Sequence, residues 1–203
     1  MHCLIIGAAP AAGFPQGKSP PETSAPNLII CADGGYIHAG RLGLVPDIIM
    51  GDFDSAEQPA AHAGTEVVAV SAHKDDTDML LCIKEAIRRG ADSIAILGGL
   101  GGRLSHTMAN ISALQYCYNR GIAASLLDEY HTVFVSSRTD IPPHTAFSLF
   151  PLENQAVITI KNAEYPLDKA TVTRESSLCA SNKSLKHTAE VISNGPLVII
   201  LEV

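Results

Sequence analysis

Gly51-Asp52-Phe53-Asp54-Ser55 sets two carboxylates two residues apart at the end of an apolar run. In an extended segment alternate side chains point the same way, so this spacing aims Asp52 and Asp54 at one point. Anionic oxygens brought together repel unless a cation lies between them. Hard oxygen donors suit Mg²⁺, which usually takes one or two carboxylates plus substrate phosphates. The competing reading is a solvated turn in which Asp54 or Ser55 caps a helix. Phe53, an aromatic that seeks burial, weighs against it.

Three further clusters sit at comparable places. Asp33-Gly34-Gly35 closes another apolar run and by itself reads as an ordinary turn. Lys74-Asp75-Asp76-Thr77-Asp78 joins a cation to three carboxylates at a helix start. The helix dipole alone favours acids there. Asp75 and Asp78, however, are three apart and share a helical face. Asp78 can complete a three-carboxylate Mg²⁺ site with Asp52 and Asp54, and Lys74 can meet a phosphate as a point charge. The loop Gly98-Gly99-Leu100-Gly101-Gly102-Arg103 is similar to loops that cradle phosphates with backbone N–H groups and a helix N-terminus. It fits neither GxGxxG nor GxxxxGK[ST]. Arg103 can fork onto phosphate oxygens. His106 follows one turn into the helix; a lone histidine is more often structural, but its place beside Arg103 narrows that margin.

The elements that must position these residues alternate along the first two-thirds of the chain. Strands are expected from Cys3 to Ile6, Leu28 to Ala32, Asp47 to Met50, Glu66 to Val70, Ser93 to Leu97, Ile122 to Leu127 and Thr132 to Val135. Helices are expected from Tyr36 to Leu42, from a cap at Asp76 or Thr77 to Gly90, and from a cap at Ser105 to about Asn119. Such alternation implies a parallel sheet covered on both faces. Ligands bind such sheets beyond the carboxyl ends of the strands, and all four clusters fall at such ends. After residue 137 the pattern becomes short strands without helices, introduced by Pro142-Pro143 as a linker: Ala146 to Phe150, Ala156 to Ile160, Ala170 to Thr173, Thr188 to Ile192 and Leu197 to Glu202. The expected architecture is therefore an α/β domain over 1–137 and a small antiparallel β domain over 138–203. The segment from Gly7 to Asn27, rich in Pro, Ala and Gly, reads as a loop.

Composition excludes several classes. The 203 residues carry a net charge of −7, against the basic face of a nucleic-acid binder. Cys3, Cys31, Cys82, Cys117 and Cys179 include no CxxC pair and read as reduced core residues. The N-terminus lacks a basic n-region, and Pro10 cuts its apolar run short, against a signal peptide. No apolar run approaches the ~20 residues of a membrane span. A cytoplasmic protein is expected.

Taken together the clusters resemble the thiamine pyrophosphokinase family. The resemblance is carried by ADGG at 32–35, PDIIMGDFDS at 46–55, KDDTD at 74–78, GGLGGRLSHTMANI at 98–111, YPL at 165–167 and ASN at 180–182, in the family's order. It implies a Rossmann-like three-layer domain with a mostly parallel sheet, then a small antiparallel β-sandwich domain that contributes to thiamine binding. It also implies a homodimer with thiamine near the subunit interface, and transfer of pyrophosphate from ATP to the thiamine hydroxyl, giving thiamine diphosphate and AMP. By the family pattern Asp52, Asp54 and Asp78 hold Mg²⁺. Asp33, Lys74, Asp75, Thr77 and Arg103 line the nucleotide and phosphate site, together with Gly34, Gly35, Ser55, Gly98, Gly101, Gly102 and His106. Ser181 and Asn182 contact thiamine, and Asp75 is the choice for accepting the hydroxyl proton.

Two departures stand out. Ser105 occupies a place where the family often has Asp, and the chain has no Trp to stack on thiamine. Tyr130, Tyr165 and Phe147 are the aromatic substitutes. The alternatives are a related pyrophosphokinase acting on another alcohol such as a hydroxymethylpterin, a non-catalytic nucleotide-binding regulator, and a magnesium phosphohydrolase. Ser181-Asn182 favours thiamine among the acceptors. Intact Asp52, Asp54, Lys74 and Asp78 speak against lost catalysis, and the lack of an obvious activated nucleophile speaks against the hydrolase.

Overall fold

Six short apolar runs build the first half of the chain. They form β1 (His2–Ile6), β2 (Leu28–Ala32), β3 (Ile48–Gly51), β4 (Glu66–Ala69), β5 (Ser93–Leu97) and β6 (Ala123–Leu127), with α1 (Gly35–Arg41), α2 (Asp78–Arg88) and α3 (Leu104–Tyr118) between them. The computed structural model describes residues 1–9, 25–53, 63–71 and 75–202, so Asp54, Ser55 and Lys74 lie outside the described residues. The strands lie side by side in the order β6-β5-β1-β2-β3-β4, every neighbouring pair parallel.

Burial explains why β1, β2, β3 and β5 read as continuous apolar runs rather than alternating ones. Leu4 and Ile6 share a core cluster with Cys31, Ile49, Ala95, Leu97 and Ala39 of α1. Cys3 and Ile5, which strand alternation turns to the opposite face, are also 0% exposed. In α2 the buried residues Met79, Cys82, Ile83 and Ala86 follow the spacing of one helical stripe. That helix touches β1, β2 and β3, whereas α3 touches β6. All five cysteines are buried, and none is in a disulfide. Burial pushes the thiols of Cys3 and Cys31 up to about 12, which makes them packing groups and not nucleophiles. Among the described residues no helix is long and apolar enough to cross a membrane.

The order of the strands matters for function. From β1 the chain steps outward through β2, β3 and β4, and α2 then carries it back to β5 on the other side of β1. The direction of winding therefore reverses between β1 and β5. In open parallel sheets such a reversal leaves a crevice at the carboxyl ends of the two central strands.

The compact unit Met1–Glu129 ends before β7, and the second unit is Tyr130–Val203. The division falls ahead of the break expected at residue 137, because β7 (His131–Ile141) runs through that position and pairs along its length with the C-terminal strand. Thr132 to Val135 is thus the first part of the second unit's β7, antiparallel to its neighbour. Pro142-Pro143 lies inside that unit, between β7 and β8 (Ala146–Pro151). The other strands are β9 (Gln155–Lys161), β10 (Leu167–Thr173), β11 (Asn182–Lys183) and β12 (Ala189–Glu202). All pairings within the unit are antiparallel, with β10-β9-β12-β7 in one row and β8 joining β12 to β11.

The two strands expected from Thr188 to Ile192 and from Leu197 to Glu202 are one. A register shift between Ile192 and Leu197 absorbs Ser193-Asn194-Gly195-Pro196. These residues carry turn chemistry, but here they form an irregularity that lets β12 exchange one neighbour for another. Its first half pairs with β9 and its second half with β8. The Asn194 carboxamide oxygen accepts the Val157 N–H at 2.8 Å, so the break in the ladder is satisfied by a side chain. Phe147, Leu149, Ile158, Ile160, Val191, Leu197 and Ile199 fill the core of this unit. Phe147, at 0% exposure, is part of that core and offers no stacking face, whereas Tyr130 and Tyr165 are each 58% exposed.

Candidate active site

A pocket of about 430 Å³ opens where the winding reverses. Gly7, Ala8 and Ala9 enter it from the end of β1, Ala32 and Asp33 from the end of β2, and Gly98, Gly99, Gly101 and Gly102 from beyond β5. Thr77, Asp78 and Met79 line it from the start of α2; Arg103, His106 and Asn110 line it from α3. A volume of this size falls in the ~300–1,000 Å³ range of small-ligand sites.

Close backbone approaches shape its floor. A Cβ on Gly7 would stand 2.6 Å from the Gly98 carbonyl oxygen and 2.8 Å from the Met79 methyl carbon. A Cβ on Gly35 would stand 2.0 Å from the Ile6 carbonyl oxygen. The Asp33-Gly34-Gly35 tripeptide is therefore more than a turn: it lets α1 begin directly against the end of β1. Asp33 itself has φ +48, and its N–H donates to the Met50 carbonyl at 2.8 Å. Gly34 is the N-cap of α1. Neither Gly34 nor Gly35 lines the pocket; Gly35 supports it from beneath.

The glycine loop takes left-handed backbone at Gly98 (φ +65), Gly101 (φ +72) and Gly102 (φ +103). It delivers Arg103 to the N-cap of α3, where the Arg103 carbonyl accepts from His106 N–H at 2.9 Å and Thr107 N–H at 3.2 Å. Ser105, expected as the cap, lies inside the first turn instead. The helix starts two residues earlier because Gly102, with its positive φ, completes the reversal into Arg103. Arg103 and His106 are exposed and Asn110 is buried. At i, i+3 and i+7 they share one helical face. That spacing was readable in the sequence, and it is the signal by which Asn110 could have been found.

At the head of α2, Thr77 is the N-cap, its hydroxyl accepting the Leu80 N–H at 3.3 Å. Asp76 turns away to the Lys84 ammonium, so it serves the helix and not the pocket. We expect Thr77→Ala to cost about 1 kcal/mol, measured by urea denaturation, and Thr77→Ser to restore most of it. Equal stability of all three proteins would refute the cap.

The carboxylates separate into two groups. Asp33 and Asp78 line the pocket. Asp75 is exposed and Asp52 half-buried, and neither is among the described lining residues. The strand argument for Asp52 and Asp54 fails on geometry. β3 ends at Gly51, and Phe53 adopts φ +48, so the segment is not extended where alternation would be needed. Phe53 packs against the sheet core as its aromatic character required. Among the described residues no three of His, Cys, Asp and Glu converge as a metal cluster.

In the second unit Ser181 is exposed with φ +57, and its N–H donates to the Ser148 hydroxyl at 3.0 Å. Asn182 is 3% exposed, with its carboxamide committed to the chain itself. Its oxygen accepts from Tyr165 N–H at 3.1 Å and Lys183 N–H at 2.8 Å, while its nitrogen donates to the Tyr165 carbonyl at 2.8 Å. Asn182 clamps the YPL segment, and of the Ser181-Asn182 pair only Ser181 is exposed.

Known proteins share both halves of this chain. Residues 22–126 match the family described as thiamin pyrophosphokinase, catalytic domain, and residues 131–198 match thiamin pyrophosphokinase, vitamin B1 binding domain. The chain is 29% identical to the thiamine pyrophosphokinase of Bacillus subtilis (strain 168), over 94% of each protein. It is 34% identical to thiamine pyrophosphokinase 3 of Oryza sativa subsp. japonica, over 54% of this chain and 50% of that protein. The crystal structure of thiamine pyrophosphokinase from Bacillus subtilis superimposes with a TM-score of 0.85 at 25% identity, covering 100% of this chain and 99% of the other.

Proposed function

The chain belongs to the thiamine pyrophosphokinase family, and on that premise we propose that it transfers pyrophosphate from ATP to the hydroxyl of thiamine, releasing AMP. The observation that carries the reading is the pocket at the β1/β5 reversal, where a glycine loop, a helix N-terminus and Arg103 face Asp33 and Asp78. Nucleotide phosphates suit the first set. The thiamine hydroxyl oxygen attacks the β-phosphorus, and the bond from that phosphorus to the α–β bridging oxygen breaks. AMP leaves with the bridging oxygen, and the hydroxyl proton passes to a carboxylate or to water.

Such chemistry depends on positioning and on charge neutralisation. Arg103 forks onto phosphate oxygens and stabilises charge that develops during transfer. The N–H groups at the start of α3 and the glycine loop orient the triphosphate. Lys74, outside the described residues, adds a point charge, and Ser55 belongs to the same reading. Thr77 keeps its hydroxyl proton available while its oxygen caps α2. Asp75 takes the hydroxyl proton in this scheme.

Mg²⁺ fits the donor set. Asp33 and Asp78 supply hard oxygens in the pocket, and Mg²⁺ commonly relies on one or two carboxylates plus substrate phosphates. By the family resemblance Asp78, with Asp52 and Asp54, would hold it, and it would neutralise triphosphate charge. The finer architecture belongs to the same reading: a Rossmann-like three-layer unit, supported by burial on both strand faces, followed by a small β-sandwich that holds thiamine through Ser181. So do a homodimer, which the family resemblance implies, and a cytoplasmic location, which the five cysteines read as reduced core residues support.

The test is product analysis. Purified protein is expected to form AMP and thiamine diphosphate in equal amounts only when ATP, thiamine and Mg²⁺ are all present. AMP without thiamine, or ADP as the nucleotide product, would overturn the assignment.

A further inference from the structure

The strongest unassigned group in the pocket is Asn110, seven residues into α3. It is 6% exposed, one of few buried polar side chains among the described residues, and its Nδ2 donates to the Gly99 carbonyl at 2.7 Å. Only a donor can meet a carbonyl oxygen, so the acceptor fixes which end of the carboxamide faces the loop.

The reason to hold that carbonyl is electrostatic. A loop that receives phosphates must present N–H groups and turn its carbonyl oxygens elsewhere, because each oxygen carries partial negative charge. Two consecutive carbonyls of this loop are engaged. Gly98 O accepts the Ala9 N–H at 3.2 Å, and Gly99 O accepts Asn110. Gly99 has no room to shift toward the sheet, since a Cβ there would stand 2.5 Å from a Leu126 methyl and 3.2 Å from an Ile96 methyl. The sheet blocks one side and the Asn110 carboxamide holds the carbonyl. The Gly99–Leu100 peptide turns about ψ of Gly99 and φ of Leu100; glycine leaves the first torsion free, so the Asn110 bond restrains what the backbone there does not.

We propose that Asn110 is a positioning residue for anion binding: it holds the glycine loop in the orientation that accepts the nucleotide's phosphates. This rests on the pocket being the nucleotide site of the proposed reaction. It differs from a role as a phosphate ligand, because the carboxamide acts through the Gly99 carbonyl that one of its two N–H groups holds.

Asn110→Leu keeps the bulk and removes the donor; Asn110→Asp keeps the shape and sets an anionic oxygen against the Gly99 carbonyl. Isothermal titration of the full chain with ATP, inorganic triphosphate and adenosine separates the contributions. Asn110→Leu is expected to weaken ATP and triphosphate at least tenfold and leave adenosine within twofold, with a larger loss for Asn110→Asp. In turnover, KM for ATP rises and KM for thiamine does not. Asn110→His, whose ring N–H can reach the same carbonyl, recovers part of the affinity. Equal weakening of adenosine and triphosphate, or unchanged triphosphate binding in a variant that circular dichroism shows to be folded, overturns the proposal. Wild-type protein that binds triphosphate but makes no AMP from ATP and thiamine would refute the proposed function and leave the role of Asn110 standing.

Discussion

Gly35→Ala is expected to destabilise the protein by about 3 kcal/mol or more, at the upper end of what overpacking costs. The added Cβ would lie 2.0 Å from the Ile6 carbonyl oxygen and 2.8 Å from its carbon. Both are backbone atoms of a strand bonded on each side, to β2 and to β5, so β1 cannot give way. The start of α1 must lift instead, drawing Ala39 out of the core it shares with Leu4 and Ile6. Gly40 in the same helix is the control, for a Cβ there meets nothing within 4 Å. Gly40→Ala is expected to stabilise by about 0.4–1 kcal/mol through the unfolded chain. Urea denaturation of the two variants should therefore show shifts of opposite sign. A Gly35→Ala protein as stable as wild type would remove the close approach as a feature of the fold.

Gly35 also shows what was legible in the sequence and what was not. Strand ends were legible because burial on both faces leaves unbroken apolar runs, and Gly7, Asp33, Gly51 and Gly98 punctuate them. That was enough to bring four clusters to one sheet edge. The need for glycine at 35 was not legible, since its clash partner Ile6 is distant in sequence and only the β1–α1 approach makes the contact. Asn110 was passed over although its i+7 spacing from Arg103 was readable, because its hydrogen-bond partner, the Gly99 carbonyl, shows only in the folded loop. Phe53 packs half-buried against the core, as its aromatic character suggested, yet its left-handed backbone breaks the extended geometry assumed for Asp52. In the second unit Ser193 to Pro196 carries turn residues, and only the pairing of β12 with two different neighbours shows a bulge in one strand. Asn182 was read as a ligand from its motif, whereas three hydrogen bonds to backbone commit its carboxamide.

Arg103→Ala is expected to lower kcat/KM by about 10²–10³-fold, the range for deleting one preorganised donor from a transition-state site. The position is held by its backbone: the Arg103 carbonyl takes two N–H groups of the first turn, and the preceding glycines at φ +72 and +103 bring the chain to the pocket. The side chain makes no capping bond and lines the same pocket as Asp33 and Asp78. Removing it leaves those carboxylates facing a triphosphate with less cationic charge beside them. Arg103→Lys restores the charge but not the planar fork, so recovery of no more than about tenfold is expected. A structural role predicts otherwise, because the N-cap carbonyl bonds survive in both variants and thermal stability should hold. Steady-state kinetics beside a melting curve decides the point. Wild-type turnover in Arg103→Ala, or a loss explained entirely by unfolding, would take Arg103 out of the reaction. Full rescue by lysine would reduce its part to that of a simple positive charge.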